Sequence, residues 1–155
     1  MKVRKAQISD APSIISIQAE GRLSVWSESD YEEEARRADS IFMVATVEES
    51  APVGFIVGRV AGETTELTGQ AEIYNVGVTN VCRRLGVGSL LLRAFLTECW
   101  QRGVKIVFLE VRSSNGIAQQ FYGRHGFTNA GERPNFYTDP VENATLMQLD
   151  LRTAS

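Results

Sequence analysis

The stretch from residue 66 to residue 111 constrains the fold more than any other part of the chain. A strand-like region, Glu66–Val78, leads into the glycine-containing turn Arg83–Gly88, and a strong amphipathic helix is predicted over Ser89–Arg102. Apolar residues recur every four positions in this helix, and Gly103 ends it. The near-continuous apolar run Lys105–Val111 is typical of a strand buried on both faces. A strand–helix–strand passage of this kind predicts an α/β fold.

The rest of the chain continues the alternation of strands and helices. Further strands are predicted at Met1–Ala6, Phe42–Val47, Val53–Val60, Phe127–Glu132 and Ala144–Leu151, and helices after Ser9 and Asp10 and over Asp30–Ala38 and Gly116–Arg124. No internal repeat or linker divides the 155 residues, so residues 1–155 are predicted to form one domain. We expect a mixed, strongly twisted sheet of about seven strands with about four helices placed on both of its faces.

Composition excludes several classes of function. The formal net charge of -3 does not give the basic surface of a nucleic-acid-binding protein. The first residues contain no long apolar run, so we predict no signal peptide, no membrane partner and a cytoplasmic location. Two cysteines and one histidine are too few, and too poorly spaced, for a metal site, so we predict reduced thiols and no metal.

The turn Arg83–Gly88 carries the first chemical signal. Two glycines separated by one residue let successive backbone N–H groups point into one concavity, and the following helix adds the positive end of its dipole. The turn is therefore a candidate pyrophosphate cradle, although a simple tight strand-to-helix turn explains it equally well. It is neither a Walker A loop, because no Gly-Lys-Ser/Thr follows, nor a dinucleotide fingerprint, because Leu91 stands in place of the third glycine.

Several motifs in a fixed order resemble one family. Arg83-x-x-Gly86-x-Gly88 matches the R/Q-x-x-G-x-G/A signature of the GNAT acetyltransferase superfamily. The other matching segments are Asn75–Val78, Leu109–Asn115, Phe121-Tyr122 and His125-Gly126-Phe127. The set is similar to the bacterial ribosomal-protein-alanine N-acetyltransferases, the RimI type. Trp26-Ser27-Glu28 and Arg133–Tyr137 resemble that subgroup's PWSE-like segment and R-x-N-Y-Y loop, with Val25 replacing a proline and Phe136 the first tyrosine.

The resemblance implies where acetyl-CoA would bind. It places the pantetheine arm along Val76, Gly77 and Val78, as an added strand would lie, and gives the Val76 N–H the task of polarising the thioester carbonyl. It places the pyrophosphate on the backbone amides of Arg84, Leu85, Gly86, Val87, Gly88 and Ser89, and adds a contact from Asn115. From the residues alone, 76–78 is an ordinary core strand, and Asn115 is a good helix N-cap.

The resemblance also implies two catalytic residues. Glu110 lies in an apolar strand, where a carboxylate is costly without a partner or a purpose, and the family uses a glutamate here as the proton acceptor. A pair with Arg112, two residues along the same strand, is the alternative. Tyr122 is implied as the acid that protonates the CoA thiolate. Phe121, four residues after Ile117, is expected to face the core and to leave Tyr122 turned aside, where a purely structural hydrogen bond is the other interpretation.

The resemblance implies direct attack of an amine on the thioester in a ternary complex, without a covalent enzyme intermediate. The implied acceptor is the N-terminal amine, alanine in particular, of a small-subunit ribosomal protein, and we expect a monomer or weak dimer. A small amine, an antibiotic or a lysine side chain are alternative acceptors. A sensor domain that binds acyl-CoA without catalysis is a further alternative, although the presence of both Glu110 and Tyr122 argues against it. His125 is expected to be a structural residue at a helix end.

Overall fold

The computed structural model describes residues 1–21, 26–61 and 69–153. Its strands are β1 (Lys2–Lys5), β2 (Ser40–Thr46), β3 (Gly54–Ala61), β4 (Gln70–Val78), β5 (Ile106–Arg112), β6 (Thr128–Thr138) and β7 (Val141–Asp150). Its α-helices are α1 (Ala11–Gly21), α2 (Glu28–Arg36), α3 (Val87–Gln101) and α4 (Gly116–Arg124), with single 3₁₀ turns at Ile8–Asp10 and Asn80–Cys82. The predicted number and order of elements is confirmed, and the predicted strand residues 66–68 lie outside the described part of the chain.

All seven strands form one sheet in the order β1-β2-β3-β4-β5-β7-β6. Neighbouring strands are antiparallel except β4 and β5, which are parallel. A parallel pair needs a crossover connection, and α3 supplies it. The sheet is therefore mixed, as the sequence predicts, and its one parallel junction lies in the middle.

The two faces of the sheet carry separate hydrophobic cores. The larger core lies under α3 and α4 and contains Leu91, Phe95 and Tyr122. The smaller core lies under α1 and α2 and centres on Tyr31 and Phe55, whose ring centroids are 5.7 Å apart. The prediction that Lys105–Val111 is buried on both faces is wrong. Residues of β5 alternate between buried and half-buried because its second face is not fully covered.

Helix starts differ from the prediction because capping residues decide them. α2 begins at Glu28 and not at Asp30, because Ser27 caps it: the Asp30 N–H donates to Ser27 Oγ, and the Ser27 N–H donates to the Asp30 carboxylate. α3 begins at Val87, two residues before the predicted Ser89, with Gly86 at its N-cap. The predicted caps Ser9 and Asp10 belong to the 3₁₀ turn that precedes α1.

β6 extends six residues beyond its predicted end, to Thr138 instead of Glu132. The segment Arg133–Tyr137 therefore lies within a strand, although its register with β7 shifts between Arg133 and Tyr137. β6 is an edge strand and almost all of its residues are exposed. Without a buried face, the sequence shows no alternation to mark the strand.

Candidate active site

β4 and β5 separate in the middle of the sheet. Their parallel pairing ends at Ile73 and Leu109. The register of β4 against β3 shifts next to this point. Val57 is opposite Asn75, but the next residue of β3, Gly58, is opposite Ile73. Tyr74 is thus an extra residue, a β-bulge, and bulges bend the strand that holds them. Among the strands of the described ranges, β4 from Asn75 to its end pairs with β3 alone, which leaves its other edge open.

The open edge forms one wall of a cleft of about 700 Å³. The cleft brings together most of the residues predicted to bind acetyl-CoA: Val76, Gly77, Val78, Arg84, Gly86, Val87, Gly88, Ser89 and Asn115. Leu85 does not line it, and its side chain is exposed. An extended chain can add to a free strand edge through backbone hydrogen bonds, so the cleft has the shape that a pantetheine arm needs.

The turn before α3 has the geometry of an anion cradle. Arg84 and Gly86 both have left-handed backbone conformations, with φ of 66° and 81°. No side chain caps the start of α3, and its first turn closes with the Leu90 N–H donating to the Gly86 carbonyl at 3.0 Å. The first amides of α3 therefore have no partner within the helix, and they sit at the positive end of its dipole.

Arginine side chains add positive charge to the same cleft. Arg83, Arg84 and Arg124 all line it. Arg83 also donates from Nε to the Val78 carbonyl at 3.3 Å, which ties the turn to the end of β4. The cleft thus combines free amides, a helix N-terminus and three guanidinium groups. This donor set fits the pyrophosphate of a CoA-like ligand.

Helix α4 supplies the opposite wall of the cleft. Asn115 is its N-cap, as predicted, and its Oδ1 accepts from the Ala118 N–H at 3.1 Å. The expectation that Phe121 faces the core and Tyr122 turns aside is wrong. Tyr122 is buried against Phe127, Phe121 is only partly buried, and Ile117 is exposed at the cleft. The helix is rotated so that the phenol ring, and not the stripe through 117 and 121, covers the sheet.

Tyr122 nevertheless lines the cleft. Its ring belongs to the larger core, while the residue also lines the cleft wall. Its hydroxyl makes no hydrogen bond to a described residue, and burial raises the pKa of the Tyr122 phenol. The group therefore keeps its proton over the ordinary pH range and, among the residues that the structure describes, is a donor without an acceptor.

His125 has a contact that the sequence did not indicate. It is the C-cap of α4, as expected for a structural residue. Its Nε2 also lies 2.9 Å from the Ser89 hydroxyl in the cradle. Partial burial and the nearby Arg93 and Arg124 lower the pKa of His125, so the imidazole is neutral at neutral pH.

Glu110 lies on the face of the sheet opposite to the one that α3 and α4 cover. Its neighbours Leu109 and Val111 pack into the larger core, so the alternation of a strand directs Glu110 to the α1–α2 face. Its side chain is 10% exposed, and Oε1 lies 3.4 Å from Arg133. Among the described residues, the buried Oε2 has no hydrogen-bond partner. A buried carboxylate oxygen that has no donor can accept a hydrogen bond from a bound molecule.

The alternative pairing of Glu110 with Arg112 does not occur. Arg112 instead donates to the Pro140 and Asp139 carbonyls, both at 3.1 Å, and its guanidinium lies over the Tyr137 ring. The partner of Glu110 comes from β6, two strands away in the sheet.

A second carboxylate, which was not predicted from the sequence, lies on this face. Glu72 of β4 is opposite Phe108 of β5, which places it diagonally across from Glu110. Burial, and then the charge of Glu110, raise the pKa of Glu72, while Arg133 lowers it. A charged residue between the apolar Ala71 and Ile73 was the available signal.

Within the ranges 1–21, 26–61 and 69–153, no group of three or more His, Cys, Asp or Glu residues could hold a metal ion. No helix in these ranges has both the length and the apolar character needed to cross a membrane.

Comparison with known proteins agrees with the geometry. Residues 11–127 match the Acetyltransferase (GNAT) family. A [Ribosomal protein bS18]-alanine N-acetyltransferase of Escherichia coli (strain K12) is 26% identical over 151 residues, which cover 96% of this chain and 97% of that protein. An N-alpha-acetyltransferase of Sulfurisphaera tokodaii is 29% identical over 160 residues, covering 97% and 93%. The crystal structure of Ard1 from Thermoplasma volcanium is 34% identical, with a TM-score of 0.85 and 96% of each chain covered.

The family match spans about three quarters of the chain and includes the cradle and both sheet strands that form the cleft. The fold and the order of motifs agree with it, which confirms the resemblance stated from the sequence. GNAT enzymes use acetyl-CoA as acetyl donor. The chain belongs to the GNAT acetyltransferase family and is an N-acetyltransferase.

Proposed function

We propose that the protein transfers the acetyl group of acetyl-CoA to the N-terminal amine of a protein, with Glu110 as base and Tyr122 as acid. The observation that carries the proposal is the placement of these two residues. Tyr122 lines the cleft on the α3–α4 side of the sheet, and Glu110 lies on the α1–α2 side. The gap between β4 and β5 separates them, so a thioester held in that gap would have the carboxylate on one side and the phenol on the other.

The chemistry follows from that placement. The amine nitrogen attacks the thioester carbonyl carbon, and its proton passes to Glu110 directly or through water. The carbon–sulfur bond then breaks, and the sulfur takes the Tyr122 proton, which gives an amide and free CoA thiol. Val76 would donate its N–H to the carbonyl oxygen as negative charge develops there. An α-amine has a pKa of about 7.7–8.0, against about 10.4 for lysine, so a carboxylate base suffices for an N-terminus.

The acceptor that we favour is the N-terminal alanine of a small-subunit ribosomal protein, modified in the cytoplasm. Several relatives are named as bS18-alanine N-acetyltransferases, and that of Escherichia coli (strain K12) aligns over almost the whole chain. The segments Trp26–Glu28 and Arg133–Tyr137, which match that subgroup, both lie near the Glu110 face. Trp26 packs against Tyr74 at 6.0 Å between ring centroids, and Arg133 is beside Glu110 itself.

A second candidate is an Nα-acetyltransferase that accepts many protein N-termini. The identity to Ard1 from Thermoplasma volcanium, 34%, exceeds the 26% identity to the Escherichia coli bS18 enzyme. Phe136 also favours the broader enzyme. It replaces the first tyrosine of the R-x-N-Y-Y loop and so removes a hydroxyl from the segment beside Arg133. Phe136 is 45% exposed and its ring lies 5.5 Å from the Arg133 guanidinium.

A panel of peptides separates these two candidates. We expect the bS18 N-terminal sequence with alanine first to be acetylated with a kcat/KM about tenfold or more above that of the same peptide beginning with serine, threonine or methionine. The larger first residues overfill a pocket that fits alanine, and one extra methylene-sized group changes binding by about 1–3 kcal/mol. Initial rates with purified enzyme and acetyl-CoA give the comparison. Similar rates for all four first residues would favour the broad Nα-acetyltransferase, and no turnover with any of them would exclude both.

The cradle gives a separate prediction about acetyl-CoA binding. Gly88 lines the cleft, and a Cβ there would sit 3.4 Å from the Phe121 ring, so Gly88→Leu would place a bulky side chain where the pyrophosphate must approach. Charge-assisted hydrogen bonds are worth about 1.5–3 kcal/mol each, so the Kd for acetyl-CoA should rise about tenfold to hundredfold. Isothermal titration calorimetry measures it.

The matched control for this variant is Gly123→Leu. Gly123 is in the neighbouring helix α4, is exposed, and has open space where a Cβ would be. It should bind acetyl-CoA like the wild type. Equal affinity in the Gly88→Leu variant would show that the pyrophosphate does not use these amides.

A further inference from the structure

A chain of buried polar side chains joins α1, α2 and β4. The Tyr31 hydroxyl donates to Gln18 Oε1 at 2.5 Å and accepts from Asn75 Nδ2 at 3.3 Å. Gln18 in turn holds the backbone of Trp26: its Nε2 donates to the Trp26 carbonyl at 2.9 Å, and its Oε1 accepts from the Trp26 N–H at 3.2 Å. Gln18, Tyr31 and Asn75 are all less than one tenth exposed. We call these three residues the polar chain.

The direction of every hydrogen bond in the polar chain is fixed from one end. A backbone N–H only donates and a backbone carbonyl only accepts, so Trp26 allows one orientation of the Gln18 amide. Gln18 Oε1 is then an acceptor, and Tyr31 must donate to it. The Tyr31 oxygen is left as an acceptor, which selects the NH₂ group of Asn75. Burial raises the pKa of Tyr31 to about 12, so the phenol remains a donor throughout the working pH range.

The polar chain ends at the β-bulge. Tyr74 and Asn75 are consecutive, yet both contact the α1–α2 side: Tyr74 packs on Trp26, and Asn75 bonds to Tyr31. Successive residues of a regular strand point to opposite faces, so this arrangement exists only because of the bulge. Val76 and Val78 return to the other face, against the larger core.

The bulge decides which way the following amides point. N–H groups of alternate residues in a strand face opposite edges, and a shift of one residue exchanges the edges for every residue after it. If the Asn75 side chain lost its hydrogen bond, the bulge could disappear. Residues 75–78 would then pair with β3 one residue out of their present register, continuing from the pair of Ile73 and Gly58. The amide assigned to the thioester would then turn from the gap toward β3.

We infer that Gln18, Tyr31 and Asn75 are positioning residues that hold the β4 bulge and thereby aim the Val76 N–H at the thioester carbonyl. The inference rests on the proposed function, because it uses the Val76 contact. By this inference, side chains on the face of the sheet opposite the acetyl-CoA cleft affect kcat, because they set the direction of the Val76 N–H. None of the three touches the reacting atoms in this account.

The test is Tyr31→Phe, which removes the hydroxyl and both of its hydrogen bonds while keeping the aromatic ring. The probe is a ketone analogue of acetyl-CoA with a CH₂ in place of the sulfur and a ¹³C carbonyl. A hydrogen bond to the carbonyl moves its resonance downfield on binding. We expect the shift in wild type and its loss in Tyr31→Phe, with kcat lower by about tenfold, which is less than the 10²–10³-fold for deleting such a donor outright. The Kd of the analogue should stay within about threefold, because the cradle is unchanged.

Two further variants separate positioning from packing. Asn75→Ala cuts the polar chain at its other end and should reproduce the loss of the shift. Phe42→Leu disturbs the same core, since Phe42 lies 5.8 Å from the Tyr31 ring, but it removes no hydrogen bond and should keep the shift. A shift retained in Tyr31→Phe and Asn75→Ala, or lost equally in Phe42→Leu, overturns the inference. No shift in wild type would instead show that the Val76 contact of the proposed function is wrong, and the inference would fall with it.

Discussion

Glu110→Gln is expected to lower kcat by about 10²–10⁴-fold, the range over which general acid–base catalysis contributes. The amide keeps the shape of the side chain and can still bond to a ligand, but it cannot take a proton. Within the described ranges the buried Oε2 has no hydrogen-bond donor, while Oε1 pairs with Arg133, so Oε2 is the oxygen that can accept the proton of an incoming amine. Steady-state kinetics with a saturating peptide measures the change in kcat.

Two other Glu→Gln variants are controls for Glu110→Gln. Glu98→Gln changes a glutamate on α3 that forms an ion pair with Arg102 at 3.0 Å, and it should turn over like the wild type. Glu72→Gln tests the neighbouring carboxylate, whose raised pKa makes it the competing base. If Glu72→Gln abolishes turnover while Glu110→Gln leaves it intact, the proton goes to Glu72, and the assignment of Glu110 is wrong.

Tyr122→Phe is the second variant with a large expected effect. Protonation of the leaving thiolate is felt only in the transition state, so kcat should fall by about 10²-fold while KM changes little. The phenol is suited to this task because burial raises its pKa and keeps it protonated, and because no described residue accepts its proton. Single-turnover measurements with enzyme in excess isolate the chemical step.

A packing control is needed because Tyr122 is part of the core. Phe127→Leu alters the neighbouring ring, 5.5 Å from that of Tyr122, without touching the hydroxyl. It should lower Tm and keep kcat at a temperature where the variant is folded. A Tyr122→Phe enzyme with unchanged kcat would mean that water or another group protonates the thiolate.

The sequence predicts best where local chemistry is sufficient. The strand–turn–helix–strand passage, the N-cap at Asn115 and the cleft residues near Gly86 and Gly88 all follow from residue type and short spacing. The start of α2 moved by two residues because of its capping hydrogen bonds, and that of α3 because the left-handed Gly86 is its N-cap; hydrophobic periodicity marks neither feature.

The tertiary partners of the site residues could not be predicted in the same way. Arg133 reaches Glu110 because the sheet order places β7 and then β6 beside β5, an order that no local pattern encodes. The core position of Tyr122 depends on the rotation of α4 against the sheet, and Phe121 and Tyr122 are adjacent in sequence. The link from Tyr31 to Asn75 spans 44 residues and appears only once α2 lies on β4.

The central claim is that acetyl transfer occurs at an α-amine. The most direct measurement is tandem mass spectrometry of one peptide that carries both a free N-terminal alanine and an internal lysine, after reaction with the enzyme and acetyl-CoA. The account predicts a single addition of about 42 Da, found only on fragments that contain the N-terminus. Acetyl groups found on the lysine, or added as fast to a peptide with a blocked N-terminus, would contradict it.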